Sequence, residues 1–253
     1  MIHAPHHTLW GYNLPVRLLQ HRIAGPEPCP YLPGLDSTTE TLLMTGVTGP
    51  ELERLLERGW RRFGPVYFRP VCGGCAECVS VRVPVDAFRA SVNLKRVARR
   101  AAALRVEVGV PEVDEVRLAL YRRWHAAREE ERGWRPDRIG AESYAMQFCF
   151  PNPAAREFSY WDGGELVAIG IADETPHALS AVYCYHSPEH ARLSLGTYNV
   201  LRCLDYSRER GLSHVYLGYC VEGCVSLRYK ARFQPQERLL PQADELAPKW
   251  IPA

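Results

Sequence analysis

Residues 156–186 read REFSYWDGGELVAIGIADETPHALSAVYCYH, and their periodicity decides the fold. REFSYWDG, ELVAIGIADE (165–174) and ALSAVYCYH (178–186) are rich in β-branched and aromatic residues and read as three strands. WDGG supplies a hairpin turn between the first two. The period then lengthens: GTYNVLRCLDYSRERG (196–211) reads as a helix with Gly211 as its stop, and SHVYLGYC (213–220) as one more strand.

Upstream, Asp114 is a plausible N-cap for DEVRLALYRRWHAAREEERG, a longer helix ending at Gly133. Residues 134–155 read as a loop-rich crossover holding one short helix. VSVRVPV (79–85) alternates like a strand and leads to a helix from about Ser91. Leu94, Val97, Ala98, Ala101 and Leu104 form its apolar stripe, and Lys95, Arg96, Arg99 and Arg100 fall on the other side as a cationic ridge. Residues 1–80 hold many Pro and Gly around one helix, Gly49 to Gly59, with Leu52, Leu55 and Leu56 at helical spacing. These patterns predict an N-terminal cysteine-rich module over 1–80 and a second, α+β domain over 81–253. A meander, a helix and a further strand is the order of the second half of an acetyltransferase-like (GNAT) domain, an order many α+β proteins share.

The chain has 253 residues and a net charge of +2, which conceals an asymmetry. Between Arg54 and Arg105 stand twelve Lys or Arg against three acids (Glu57, Glu77, Asp86), a surplus of +9, so the remainder sums to 2 − 9 = −7. A basic block on an otherwise acidic chain points to a polyanionic partner. No apolar run reaches membrane-span length, and MIHAPHHTLWGYN lacks the pattern of a secretory signal, so the expectation is a cytoplasmic protein. Nine cysteines, an odd number, do not read as a disulfide framework.

CGGCAEC (72–78) places Cys72, Cys75 and Cys78 three apart, with Cys29 upstream in EPCPYLPG. Cys-x₂-Cys lets two thiolates converge on one ion, and the four sulfurs together suit zinc or an iron–sulfur cluster. Equally, all four read as small apolar core residues. Cys149, Cys184, Cys203, Cys220 and Cys224 are expected in the core. His3, His6 and His7 lie in an N-terminal tail, and His177, His186 and His190 read as turn histidines.

The segments CPYLPG (29–34), GWRRFGPVYFRPVCGGCAECVSVRVPVDAFRAS, SLGTY (194–198), HVYLGY (214–219) and YKARFQP (229–235) occur in order. Together they resemble the aminoacyl-tRNA–protein transferases, nearest the bacterial aspartate/glutamate leucyltransferases and related to the arginyltransferases. The resemblance implies tandem acetyltransferase-like folds behind the cysteine-rich module, which in eukaryotic relatives can hold an iron–sulfur cluster. It also implies transfer of leucine from charged tRNA to proteins with N-terminal Asp or Glu, marking them for degradation in the N-degron pathway. Arginine as the donor stays open.

An aminoacyl ester is already activated, so the implied chemistry requires no cofactor, and no GxxxxGK[ST] appears. Asp173 is a candidate base, and Tyr183 and Tyr219 are candidate donors to the oxyanion. An acidic acceptor needs a cation. Lys230 and Arg232 are the candidates, sharing one face if 229–235 is extended, with Arg228 beside them. Lys95, Arg96, Arg99 and Arg100 are the expected tRNA contacts. Two rivals remain: a CoA-dependent acetyltransferase, disfavoured because RLSLGTY carries a single glycine, and a zinc-knuckle RNA-binding protein without catalysis.

Overall fold

A computed structural model describes residues 16–132, 140–240 and 247–253. The first 70 residues supply a four-stranded antiparallel sheet of β1 (Arg17–Pro28), β2 (Asp36–Thr45), β3 (Arg61–Phe63) and β4 (Val66–Pro70), in the order β1-β2-β4-β3. Between β2 and β3 runs α1 (Gly49–Glu57). Its start is fixed by Glu51, whose carboxylate accepts from the Thr48 amide at 2.9 Å and the Thr48 hydroxyl at 2.6 Å. Leu52 and Leu56 are buried. The β1–β2 hairpin is not foreshadowed by alternation, because almost every residue of β1 is exposed and neither face needs apolar residues.

An eight-stranded sheet forms the rest. It adds β5 (Val79–Pro84), β6 (Arg105–Gly109), β7 (Ala155–Asp162), β8 (Glu165–Glu174), β9 (Ala178–His186), β10 (His214–Cys220), β11 (Glu237–Leu239) and β12 (Trp250–Pro252). Their order is β12-β11-β5-β10-β9-β8-β7-β6. The meander β7-β8-β9 is followed by α5 (Leu195–Glu209) and β10, so the molecule is α+β with the acetyltransferase-like order in its second half.

Both faces of this sheet are covered. Ala168 and Ala172 of β8 pack toward α2 (Val92–Arg100) and α5. Ile169 and Ile171 face the opposite way, toward α3 (Glu115–Arg132) and α4 (Ala141–Phe148). That explains why ELVAIGIADE is a near-continuous apolar run. Ser91 caps α2, and Leu94, Ala101 and Leu104 are buried as its stripe requires. Asp114 accepts from the Arg117 amide at 2.8 Å and so caps α3. The expected stop at Gly133 and the histidines His3, His6 and His7 lie outside the described residues.

One pairing positions the site. β9 and β10 are the parallel neighbours, and their ladder holds only for His214↔Ala178, Val215↔Leu179 and Tyr216↔Ser180. β10 then bulges between Tyr216 and Gly218 against β5. Beyond that point β9 and β10 run on without pairing to each other, and a wedge opens between them. Among the described residues no helix is long and apolar enough to cross a membrane.

Candidate active site in the wedge between two parallel strands

The wedge holds a cavity of about 640 Å³. β9 contributes Ala181 to Cys184, β10 contributes Leu217 to Tyr219, and the first turn of α5 contributes Gly196, Thr197 and Asn199. The N-terminal sheet reaches in with Arg61, Arg62, Phe63 and Phe68, and the segment after β10 with Lys230. This volume lies in the range of small-molecule sites.

Two cations occupy the place where the strands part. Arg61 Nη2 donates to the Ala181 carbonyl at 2.7 Å, and Lys230 Nζ donates to the Tyr219 carbonyl at 2.8 Å. Both carbonyls lie past the last parallel pair, where the ladder no longer supplies N–H donors. Burial lowers the pKa of both side chains, and for Lys230 the adjacent Arg61 adds to burial and brings it to about 7. Arg61 forms no ion pair among the described residues, and no Asp or Glu lines the cavity among them. The walls between the cations are apolar: Phe63, Val182 and Tyr183, with the Phe63 and Tyr183 rings edge to face at 5.8 Å.

Gly218 is required twice. Its φ is +79°, and a Cβ there would lie 3.2–3.3 Å from Nε, Cζ and Nη2 of Arg61. The guanidinium therefore lies against the bare backbone of β10.

Arg62, the next residue, is engaged differently. Successive strand residues point to opposite sides, and Arg62 meets Asp173 at the end of β8. Asp173 is buried, paired through both oxygens to Arg62, and does not line the cavity. A carboxylate so engaged has no oxygen free for an incoming ammonium. Tyr219 lines the cavity with its ring, but its hydroxyl donates to the carbonyls of Gly59 (2.9 Å) and Phe68 (3.3 Å), and burial raises its pKa. Tyr183 also lines the cavity, with its pKa raised by burial. The expectation of an extended 229–235 is corrected: Arg228–Arg232 is a 3₁₀ turn, which swings Lys230 inward and leaves Arg232 and Arg228 exposed.

At the other end stand Trp124, Arg128 and His186. His186 packs on Trp124 with ring centres 4.4 Å apart, and Arg128 covers the same indole at 3.9 Å. His186 is therefore a cavity-wall residue, whereas His177 is exposed beside Glu53 and His190 bonds Ser187. Lys95, Arg96, Arg99 and Arg100 are exposed on α2 as expected, and none is ion-paired among the described residues. Arg100 donates to Ser194 Oγ at 3.3 Å, at the cavity-lining start of α5, so the cationic ridge adjoins the mouth.

Burial, followed by the nearby Cys29, Cys72, Cys75 and Cys224, pushes the Cys78 thiol up to about 12. The four expected cysteines thus share one neighbourhood, yet Cys72 is tied to the Thr38 backbone, with its sulfur accepting from the amide at 3.4 Å. Among the described residues no three or more His, Cys, Asp or Glu side chains stand in a metal-holding arrangement.

Sequence reasoning missed Arg61, Trp124 and Gly218. The signal for Arg61 was two adjacent arginines in GWRRFG, flanked on both sides by residues that must be buried.

Residues 27–96 match the family described as arginine-tRNA-protein transferase, N terminus, and residues 116–240 the corresponding C terminus. The chain is 34% identical over 225 residues to the aspartate/glutamate leucyltransferase of Helicobacter hepaticus, covering 88% of this chain and 93% of that one. It is 34% identical over 238 residues to the enzyme of that name from Methylorubrum populi, covering 88% and 94%. Among solved structures, FemX is similar with a TM-score of 0.44 at 11% identity, covering 66% of this chain and 59% of that one. With matches to both halves of the family, in order, the chain belongs to the arginine-tRNA-protein transferases.

Proposed function

We propose that this protein transfers leucine from charged tRNA to the N-terminal Asp or Glu of other proteins, in the cytoplasm, as an entry step of N-degron degradation. The observation that carries this reading is a cavity that, among the described residues, holds two half-buried cations without ion pairs, no acidic side chain, and an apolar wall. An acidic acceptor supplies the missing negative charge. A leucine side chain suits Phe63, Val182 and Tyr183, whereas an arginine donor would bring a third cation against Arg61 and Lys230 with no carboxylate to meet it. The relatives named aspartate/glutamate leucyltransferases agree with both halves of the reading.

In the reaction the acceptor's α-amine attacks the ester carbonyl carbon. The amide bond forms, the bond to the ribose oxygen breaks, and that oxygen leaves protonated. An α-ammonium of pKa about 7.7–8.0 costs only about 1 kcal/mol to deprotonate at pH 7. Lys230, brought to about 7, is matched to receive this proton and return it to the ribose oxygen, while the second proton of the amine goes to solvent. Positioning supplies more, about 7–11 kcal/mol for well-oriented reactants. The ridge of Lys95, Arg96, Arg99 and Arg100 holds the tRNA backbone beside the mouth through charge.

Purified protein given each charged tRNA in turn, with acceptor peptides whose N-termini are then weighed, tests the reading. One added leucine on Asp- and Glu-initiated peptides is expected. Transfer of arginine instead, or retention of tRNA without transfer, overturns it and favours an arginyltransferase or an RNA-binding protein respectively.

A further inference from the structure

We infer that Arg61 is the residue that reads the acidic side chain of the acceptor, and that Lys230 serves the acceptor's amine. The inference rests on the proposed transfer to N-terminal Asp or Glu. Arg61 presents five N–H donors in a planar fork. One Nη2 hydrogen goes to the Ala181 carbonyl, and Nε and Nη1 have no partner among the described residues. They are not sealed in the protein: neither is among its fully buried unpaired polar atoms, so they open on the cavity. A half-buried, partly desolvated guanidinium without an ion-paired carboxylate is a charge that an incoming anion compensates.

The neighbouring arginine makes the contrast. Arg62, on the same three-residue strand, has the carboxylate that Arg61 lacks, Asp173. The surroundings also hold Arg61 in place. The bare Gly218 backbone leaves room for the guanidinium plane, and the bond to Ala181 sets its rotation. A fork fixed in that way matches a carboxylate bidentately, which a lysine ammonium does not. Lys230 is spent differently. It donates to the Tyr219 carbonyl on the opposite edge of the wedge, so the two cations flank the cavity from β9 and β10. A carboxylate on Arg61 then leaves the α-amine free to reach toward Lys230. An amide in place of the carboxylate leaves Arg61 uncompensated, so Asn- and Gln-initiated chains are refused by charge.

The test compares kcat/KM for matched peptides beginning with Asp and with Asn, using leucine-charged tRNA, in the parent protein, R61M and K230M. The parent is expected to favour Asp by at least about 100-fold. R61M should bring the two peptides within about tenfold by depressing the Asp rate, whereas K230M should slow both peptides in proportion and keep the ratio. An undiminished ratio in R61M, or a ratio that collapses in K230M instead, overturns the inference. If R61M does not fold, as judged by circular dichroism, R61K decides. It keeps the charge without the fork, so the Asp preference should fall at least about tenfold, and an unchanged preference overturns the inference. A parent protein that moves no leucine to either peptide refutes the underlying reading, whereas transfer to both at equal rates refutes the assignment of Arg61 alone.

Discussion

Arg62 and Asp173, 111 residues apart in the chain, meet as a buried pair, with Arg62 Nε donating to Asp173 Oδ2 at 2.9 Å and a second bond from Nη2 to Oδ1. The pair joins the N-terminal sheet to β8 and is less than 10% exposed on both sides. Removing one partner strands the other charge in the interior, at a cost of about 3–5 kcal/mol. Asp173→Asn and Arg62→Met should therefore lower the denaturation midpoint strongly. The folded fraction of Asp173→Asn should keep the parent's pH–rate profile. Loss of the acidic limb of that profile, with stability intact, would instead make Asp173 the base.

Tyr219→Phe removes a hydroxyl that donates to Gly59 and Phe68 carbonyls. The buried Gly59 carbonyl loses the single O–H that it shares with Phe68, so urea titration should show a loss of about 1–3 kcal/mol. The kcat of the folded protein should change less than about fivefold. A fall of about 10²–10³, the scale of a lost oxyanion donor, would show that the hydroxyl turns to the substrate.

Lys230 carries a pH-dependent cost. Its pKa is about 7 when folded, against 10.5 for the ordinary side chain, because of burial and Arg61; Cys78, Cys220 and Cys224 also face it. Between those values the folded state binds fewer protons than the unfolded state, so stability rises with pH across that window. Below about 7 the penalty is full. Lys230→Met should thus be more stable than the parent at pH 6, with the gain shrinking toward pH 10.5. At about 1.4 kcal/mol per pH unit the gain is at most about 5 kcal/mol, reduced by water that the cavity admits. Thermal melts of both proteins at pH 6, 8 and 10 check the direction.

Gly218→Ala asks an L-residue to adopt φ +79° and presses a methyl group on Arg61. A destabilisation of about 1–3 kcal/mol is expected. The Asp-over-Asn preference should also narrow. Full preference in a folded Gly218→Ala protein would mean that the guanidinium has other room.

The cationic ridge predicts a salt signature. Replacing Lys95, Arg96, Arg99 and Arg100 by Ala should flatten the slope of log K against log salt for tRNA binding by up to about 3–4. An unchanged slope would place the tRNA on another surface.

Much of this was legible in the residues. The hairpin turn WDGG, the capping Ser91 and Asp114 and the stop at Gly211 mark elements through local chemistry that the fold leaves intact. α2 was readable because its buried stripe and charged side both lie on one short segment. The cavity was not, because its members are set by the parting of β9 from β10, a tertiary event with no local signature. Lys230 was named from its charge, yet its direction depends on a 3₁₀ turn where alternation implied a strand. Asp173 is a candidate base by its residue type, and only the arrival of Arg62 from another sheet shows why it is buried.

The wedge brings together Arg61 and Lys230, which stand 230 − 61 = 169 positions apart in the sequence. At about 5–20 residues per second, a ribosome takes roughly 10–30 s to pass from one to the other. Until β8 and β9 have been made, the two arginines of β3 lack the Asp173 carboxylate and the Ala181 carbonyl that they meet in the fold. A nascent chain that has just completed β10 already has Gly218 and Tyr219 but no ammonium for the amine. The wedge is thus completed only when the turn at Arg228–Arg232 folds back between edges that are already in place.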